Sequence, residues 1–373
     1  MPRSRTARGL RAATLAIVAL LGLGLTACQT GAAVQGEAAD APVQLPPLSE
    51  ITPAEDPTAL EGPTTAVIGG PTMEPVADGP EPDLPVTVVS HDKSGDTEIE
   101  VTDTSRVLAL SLSGSLAELV HAYGLSDTLV GRDVSTNLPG LEELPVVTRD
   151  GHSIDAESVL GLNPSLILTD GSIGPIDVVL QLRDAGIPVV MVTRAVDPET
   201  TYQTAREIAA ALGVAPLGEE LVTELTQAIA DKEEEIAELV PADEAKRPRV
   251  AFLYVRGTGI FYLFGEGSGI DSLIRSIGAV DVAREIGWVG EKPMTDEALI
   301  ATDPDVILVM TKGLESAGGV DGLLAAQPSI GLTSAGEKRR IIDVDDTLLF
   351  AGGTRIPDVM DGLARAIYAP DSL

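Results

Sequence analysis

The fold depends on one uninterrupted stretch, EELVTELTQAIADKEEEIAELV at residues 219–240, which contains neither glycine nor proline. Apolar side chains recur every four residues, beginning just before this stretch, at Leu217, Leu221, Leu225 and Ile229. This period places them on one face of an amphipathic helix, with acidic residues on the other face. At about 1.5 Å per residue, such a helix is a rod of roughly 35 Å, long enough to cross a small domain. We therefore predict a single spine helix over residues 217–240.

The sequence before the spine helix and the sequence after it repeat one pattern. Each copy has a β-rich run, a helix-like stretch that ends at glycine, a glutamate seven residues before a proline, and a second apolar strand. The first copy has strands at 107–112 and 166–168 with Glu157 and Pro164 between them, and the second has strands at 250–255 and 306–309 with Glu297 and Pro304. Strands that alternate with helices predict an α/β fold of two lobes, each with a mostly parallel sheet. Chance recurrence of the glutamate–proline spacing is the alternative.

In the first copy, Ser115 is followed three residues later by Glu118, which is the spacing of a capping box. In such a box the hydroxyl and the carboxylate each accept a hydrogen bond from an unpaired N–H at the start of a helix. We therefore predict that Ser115 caps a helix that ends at Gly124.

Size and charge exclude some classes of function. A chain of 373 residues with 44% hydrophobic content accommodates two domains with ample cores. The formal net charge of −32 argues strongly against nucleic acid as a partner, because phosphate binding needs basic patches. The sequence contains no G-x-S-x-G, H-E-x-x-H, C-x-x-C or Walker lysine motif, so nothing favours an enzyme.

The first residues have the pattern of an export signal. Arginines precede an apolar stretch at 12–25 that is too short to span a bilayer, and LTAC follows at 25–28. This resembles a bacterial lipobox, which implies a signal peptide over residues 1–27, cleavage before Cys28 and a diacylglyceryl anchor on its sulfur. An ordinary cleaved signal with an incidental cysteine is the alternative. Because Cys28 is the single cysteine, no intramolecular disulfide is possible.

The composition changes after the signal, and the change sets the predicted domain borders. Residues 28–85 are rich in proline, alanine and acidic residues and contain neither lysine nor arginine, so we predict a disordered acidic tether. The N-terminal lobe is then expected over residues 86–196 and the C-terminal lobe over residues 248–373. A linking helical segment, 197–247, contains the spine helix.

Two places in the sequence carry side chains suited to a metal centre. His152 follows a glycine in a loop at the head of a predicted helix, where loops after strands form the ligand crevice of an open α/β sheet. Tyr254 and Arg256 alternate onto one face of a strand at its carboxyl end, and a guanidinium beside a phenol favours the phenolate. Phenolate suits ferric iron, and tyrosine is an established axial ligand of haem. An ordinary loop histidine, and a tyrosine and an arginine in unrelated hydrogen bonds, are the alternatives.

These features together resemble a known family. A lipobox, an acidic tether, two lobes, one joining helix and paired glutamate–proline motifs look like a substrate-binding lipoprotein of an ABC importer. The class of these proteins that this chain resembles has two Rossmann-like lobes joined by one long rigid helix. Its members bind haem, ferric siderophores or cobalamin. The resemblance covers residues 86–373 and implies lobes that close little on their ligand.

Within that class, GHSIDAESVL at 151–160 and FLYVRG at 252–257 resemble the haem-binding lipoproteins of Gram-positive haem importers. The resemblance implies that His152 and Tyr254 are axial ligands of ferric haem b and that Arg256 hydrogen-bonds the tyrosine. It also implies apolar walls against the porphyrin, with the propionates toward solvent or basic side chains. Aligning the two copies of the repeat places Lys292 at the position of His152, so Lys292 is a candidate propionate contact.

The resemblance also implies partners. Glu157 and Glu297 match the positions at which one glutamate of each lobe meets arginines of the two permease subunits, and plain stabilisation of a helix start is the alternative. The expected partners are haem, an ABC permease dimer with its ATPase, and the membrane through the lipid anchor, with other haem-binding surface proteins as candidate donors. The protein is expected to be exported, held on the outer face of the cytoplasmic membrane, and not an enzyme.

Two rival classes of function stay open at this point. A binder of ferric siderophores or cobalamin from the same class would use arginines or aromatic residues and need no axial pair. A cell-surface enzyme of haem metabolism would show turnover, which a binding protein does not.

Overall fold

The computed structural model describes residues 45–70, 72–149, 153–349 and 353–373. The strands are β1 (Thr64–Thr65), β2 (Val86–Ser90), β3 (Thr97–Val101), β4 (Val107–Leu110), β5 (Thr148–Arg149), β6 (Ser153–Ile154), β7 (Leu166–Thr169), β8 (Val189–Met191), β9 (Arg249–Arg256), β10 (Ile260–Phe264), β11 (Val280–Asp281), β12 (Glu291–Pro293), β13 (Val306–Met310) and β14 (Ile341–Val344). The helices are α1 (Ser115–Ala122), α2 (Ala156–Leu162), α3 (Ile176–Asp184), α4 (Pro198–Ala211), α5 (Ala215–Ala237), α6 (Ile270–Ser276), α7 (Val282–Glu285), α8 (Asp296–Thr302), α9 (Thr311–Ser316), α10 (Gly319–Ala326), α11 (Ser334–Glu337), α12 (Asp346–Leu349) and α13 (Ile356–Tyr368). The predicted signal peptide, Cys28 and His152 lie outside the described residues.

The first lobe is built around a parallel sheet of three strands in the order β4–β7–β8. Along β4, Val107 and Ala109 belong to one hydrophobic core, and Leu108 and Leu110 belong to another. Alternate residues of a strand point to opposite faces, so this sheet is covered on both sides, as parallel sheets require. Two antiparallel pairs of strands, β2–β3 and β5–β6, also belong to the described part of this lobe.

The second lobe is built around a larger sheet in the order β1–β14–β13–β9–β10–β12, with β11 also paired to β9. Its centre, β14–β13–β9, is parallel, whereas β10 joins β9 and β12 in antiparallel pairs. Phe252 of β9 lies in one core, and its neighbours Ala251 and Leu253 lie in a second core on the other face. The predicted α/β fold with mostly parallel sheets is thus confirmed in both lobes.

Helix α5 is the predicted spine helix, with 23 residues. It begins two residues before the predicted start and ends three residues before the predicted end. Leu221 and Leu225 on its first half are buried in the core of the first lobe, and Ile229 and Ile236 on its second half are buried in the core of the second. One amphipathic face therefore serves both cores, which is how a single helix joins the lobes. Among the described residues, no helix is both long and apolar enough to cross a membrane.

The disordered tether predicted for residues 28–85 is wrong for the part that the structure describes, residues 45–70 and 72–85. Leu48 is buried in the core of the second lobe at 3% exposure. Farther on, β1 adds a parallel strand to β14, with Thr64 paired to Ile342. The chain then reaches the first lobe, where the N–H of Val76 donates to Ala122 O at 2.8 Å.

These contacts explain why composition alone misplaced the segment. Its backbone groups find partners on side chains far away in the sequence: Arg365 Nη2 donates to Pro46 O at 2.6 Å, and Lys338 Nζ donates to Thr58 O at 2.6 Å. A segment without its own hydrophobic period is ordered here by the surfaces of the two lobes, and tertiary contacts override the local tendency to disorder.

The predicted capping box at Ser115 is also wrong. Helix α1 is preceded by Gly114, which adopts a left-handed conformation at φ 77°, and no side chain caps the helix. Ser115 is the first helical residue, and Glu118 is buried instead of reaching back to the helix start. Glu118 Oε2 lies 3.5 Å from Thr354 Oγ1 of the second lobe, so this carboxyl belongs to the junction between the lobes.

Candidate functional site

A cavity of about 790 Å³ lies between the two lobes. Ile229 of the spine helix lines it, together with Ser113 from the loop after β4 and Met310 at the end of β13. The loops after parallel strands meet at this edge of each sheet, which is where open α/β sheets bind ligands. The sequence predicts Tyr254 and His152 at this edge; Tyr254 lines the cavity, and His152 lies outside the described residues.

Tyr254 lines the cavity from β9 and belongs to an aromatic cluster. Tyr262 lies directly opposite it on β10, with ring centroids 6.5 Å apart and the planes at 87°. Phe264 stacks on Tyr254, with centroids 6.1 Å apart and the planes at 14°. Both geometries are favourable for aromatic pairs. All three residues line the cavity. Its second-lobe wall therefore presents three aromatic rings, and two of them, Tyr254 and Tyr262, carry a phenol hydroxyl.

Arg256 shares β9 with Tyr254, two residues farther along, and its side chain is exposed. It does not line the cavity, and the described contacts include no hydrogen bond between Arg256 and the phenol of Tyr254. His152 lies outside the described residues, between the antiparallel partners β5 and β6. The structure therefore places one of the two predicted ligands in the cavity, and the pairing of His152 with Tyr254 stays a prediction.

Lys292 lies on β12 and is exposed. Its Nζ is 5.7 Å from the ring centroid of Trp288, a cation–π contact, and the residue is not among those that line the cavity. Its role as a propionate contact also stays a prediction.

Glu157 and Glu297 occupy matching places in the two lobes. Each is the second residue of a seven-residue helix, α2 or α8, and each side chain is exposed. Both helices end at a left-handed residue immediately before proline, Asn163 with φ 47° and Asp303 with φ 40°. The repeat seen in the sequence is therefore a repeat of geometry, and neither glutamate lines the cavity.

Two cations in the cavity escaped the sequence analysis. Arg194 follows β8 in the first lobe, and Lys312 follows β13 in the second. The only signal for them in the sequence is their position shortly after a buried strand, which many residues share.

One buried carboxyl at the lobe junction is strongly perturbed. Burial raises the pKa of Glu118 from its ordinary 4.5 to about 7, and the nearby Arg355 guanidinium opposes this rise. Elsewhere, the described residues include no cluster of three or more His, Cys, Asp or Glu side chains that could hold a bare metal ion.

A cavity between two α/β lobes that share one helix defines a binding protein that holds its ligand in the cleft. The model of the periplasmic binding protein family matches residues 110–348, and the chain belongs to that family. It is thus a binding protein and not an enzyme.

Solved structures of similar chains share this fold. The heme binding protein HmuT is 35% identical, with 84% of this chain and 99% of that chain covered and a TM-score of 0.75. The periplasmic heme-binding protein RhuT from Roseiflexus sp. RS-1 is 34% identical, with 72% and 99% covered and a TM-score of 0.64. The ABC transporter substrate-binding lipoprotein YvrC of Bacillus subtilis (strain 168) is 29% identical over 297 residues, with 78% of this chain and 87% of YvrC covered.

Variants of HmuT with alanine in place of a histidine, a tyrosine or an arginine have also been solved. The tyrosine and the arginine of those variants stand two positions apart, as Tyr254 and Arg256 do here.

Proposed function

We propose that this protein captures haem outside the cell and delivers it to an ABC permease. The cavity between the lobes, with Tyr254 among aromatic rings, is the observation that carries the proposal. Its volume of about 790 Å³ falls within the range of small-molecule sites, roughly 300–1,000 Å³. Flat apolar rings beside a phenol suit a porphyrin with a metal at its centre. The likeness to heme-binding proteins at 34–35% identity supports the same ligand.

The iron of ferric haem b would be held by one side chain from each lobe, His152 and Tyr254. A phenolate offsets part of the ferric charge, and a neutral imidazole completes the axial pair. Arg256 stabilises the phenolate as a hydrogen-bond donor in this proposal. The HmuT variants at a histidine and at a tyrosine–arginine pair support this choice of residues.

Separate titrations with three candidate ligands test which of them the protein binds. The mature protein is titrated with ferric haem, with a ferric siderophore and with cobalamin, and binding is followed by the change in each ligand's visible absorption. We expect saturable binding of one haem per chain and none of the other two. Tight binding of the siderophore or of cobalamin, without a haem complex, would overturn the proposal in favour of a different ligand.

Delivery requires docking, for which the matching glutamates Glu157 and Glu297 are our candidates. They are exposed, they lie away from the cavity, and they stand at equivalent positions of the repeat. A permease dimer with its ATPase presents the same surface twice, so two equivalent acidic contacts suit it. Charges of this kind guide encounter and orientation more than they hold the ligand.

The protein would be held on the outer face of the cytoplasmic membrane through Cys28. The relative YvrC is a substrate-binding lipoprotein, which supports this assignment. Cys28→Ala should abolish lipid attachment and release the protein to the medium or leave it unprocessed. Cell fractionation with metabolic lipid labelling measures this, and membrane retention of a processed Cys28→Ala protein would contradict the anchor.

A further inference from the structure

The cavity contains two cations, one from each lobe. Arg194 lies three residues after the end of β8, and Lys312 is the second residue of α9. Both side chains are exposed to the cavity's solvent. Across the described residues, neither the Arg194 guanidinium nor the Lys312 ammonium forms a hydrogen bond or an ion pair. These two charges are thus available to a ligand.

The acidic residues that line the same cavity are Asp170, Asp197, Glu291 and Asp346. Three of them already accept a backbone hydrogen bond: Asp170 from Ser172 at 2.9 Å, Asp197 from Thr200 at 2.8 Å and Asp346 from Lys312 at 2.9 Å. Burial raises the pKa of Asp346, whereas this hydrogen bond and the Lys312 charge lower it. Three of the four carboxylates thus accept a hydrogen bond within the protein, whereas neither cation forms an ion pair with a described residue, although the Lys312 charge acts on Asp346.

This arrangement matters because the whole chain is strongly acidic, at −32. Such a protein repels an anionic ligand at long range unless local cations offset the field in the cleft. Two unpaired cations inside an acidic protein are consequently a signal for a ligand that carries negative charge of its own.

We propose that Arg194 and Lys312 form a carboxylate subsite that receives the two acidic groups of the bound ligand. This subsite rests on the proposed function, since haem carries two propionates. A guanidinium presents a planar fork that matches a carboxylate, and an ammonium acts as a point charge with rotatable donors. Because the two cations come from different lobes, the ligand's acidic groups would also tie the lobes together. Lys292 on β12, whose Nζ lies over the Trp288 ring, is the rival carboxylate contact.

The test compares ferric protoporphyrin IX with its dimethyl ester, which lacks both negative charges. Each porphyrin is titrated into the mature wild-type protein, Arg194→Gln, Lys312→Gln and the double variant. Lys93→Gln, at an exposed lysine outside the cavity, is the matched control, and Lys292→Gln tests the rival contact on β12. We expect each single cavity variant to weaken binding of the free acid by about tenfold. Wild type should prefer the free acid to the ester, and the double variant should bind the two equally. Lys93→Gln should behave as wild type.

The outcomes separate the subsite from the haem proposal. Equal binding of both porphyrins by wild type, or a preference that survives in the double variant, overturns the subsite and leaves haem binding in place. A loss of preference in Lys292→Gln alone moves the carboxylates to β12 and also overturns it. Failure of wild type to bind either porphyrin refutes the proposed function and the subsite with it. Both cavity side chains are exposed, so unchanged thermal unfolding is expected and confirms that the variants are folded.

Discussion

The two lobes share one outer feature, the helices α2 and α8, and differ in the cleft. Outside, α2 and α8 have the same length, the same exposed glutamate in their second position and the same left-handed residue before proline. Inside, the second lobe lines the cavity with Tyr254, Tyr262 and Phe264, whereas the described first-lobe residues that line it, such as Ser113, Val134 and Ser135, carry no aromatic ring.

This difference separates two tasks. A partner with twofold symmetry needs the same surface twice, and the duplicated helices provide it. A ligand held by different atoms on its two faces needs unequal walls, and the cleft provides those. The repeat therefore persists where the proposed permease docks and has diverged where the proposed ligand binds.

The largest effect on stability should come from truncating Phe264, which belongs both to the aromatic wall of the cavity and to the hydrophobic core. Phe264 is 7% exposed and packs edge-to-face on Phe252, with centroids 5.0 Å apart. Phe264→Ala should lower the free energy of unfolding by about 3–5 kcal/mol, because a buried ring leaves a cavity. Val134→Ala on the opposite wall, at an exposed position, should cost less than about 0.5 kcal/mol. Urea unfolding measures both, and equal losses would contradict the difference between the walls.

Tyr254→Ala should weaken haem binding more than any other change in the aromatic wall, on the order of 100-fold or about 2.7 kcal/mol. The reason is that it removes an anionic iron ligand, whereas Tyr262→Ala removes only an apolar contact. Soret titrations of the two variants provide the comparison. If Tyr262→Ala weakened binding as much as Tyr254→Ala, the wall would act by packing alone and Tyr254 would have no special role.

The junction of the lobes should respond to pH through Glu118. Burial raises its pKa in the folded state to about 7, so the folded protein binds more protons than the unfolded chain between about pH 5 and 7. Stability should therefore fall as pH rises through 7, by about 2 kcal/mol between pH 5 and pH 8. Glu118→Gln, which stays neutral, should remove this part of the slope. Chemical unfolding at both pH values measures it, and an identical slope in the variant would assign the dependence to other groups.

The smallest effect on the protein itself is expected for the outer helices. The double variant Glu157→Ala/Glu297→Ala should bind haem as wild type does, within about twofold, because both side chains are exposed and away from the cavity. It should nevertheless fail to support haem uptake by cells, because docking charges are lost. Growth on haem as the iron source, at matched expression, tests this. Normal growth would contradict the docking role and leave both glutamates with the stabilisation of a helix start as their role.

Local patterns in the sequence were enough for the spine helix and for the repeat. The four-residue period of Leu221, Leu225 and Ile229 lies within one helix, and the glutamate–proline spacing lies within one helix and its cap. Tyr254 was predictable because alternation along a strand fixes its face. The sequence supports these parts because each depends on neighbours a few residues away.

The rest depends on residues distant in the chain. Thr64 pairs with Ile342, so the order of the N-terminal segment cannot be read from its own composition. Arg194 and Lys312 share a cavity only because two sheets meet across the spine helix. Gly114, in its left-handed conformation, shifted the start of α1 by one residue and freed Glu118 to enter the lobe junction.

The central claim is that each wall of the cleft supplies one axial ligand, and the resonance Raman and visible spectra of the ferric haem complexes test it most directly. In the wild-type complex we expect a phenolate-to-iron charge-transfer signal that disappears in Tyr254→Ala. His152→Ala should keep that signal in a weaker, tyrosine-held complex with a shifted Soret band. Spectra of both variants that match wild type would contradict the assignment of either residue to the iron.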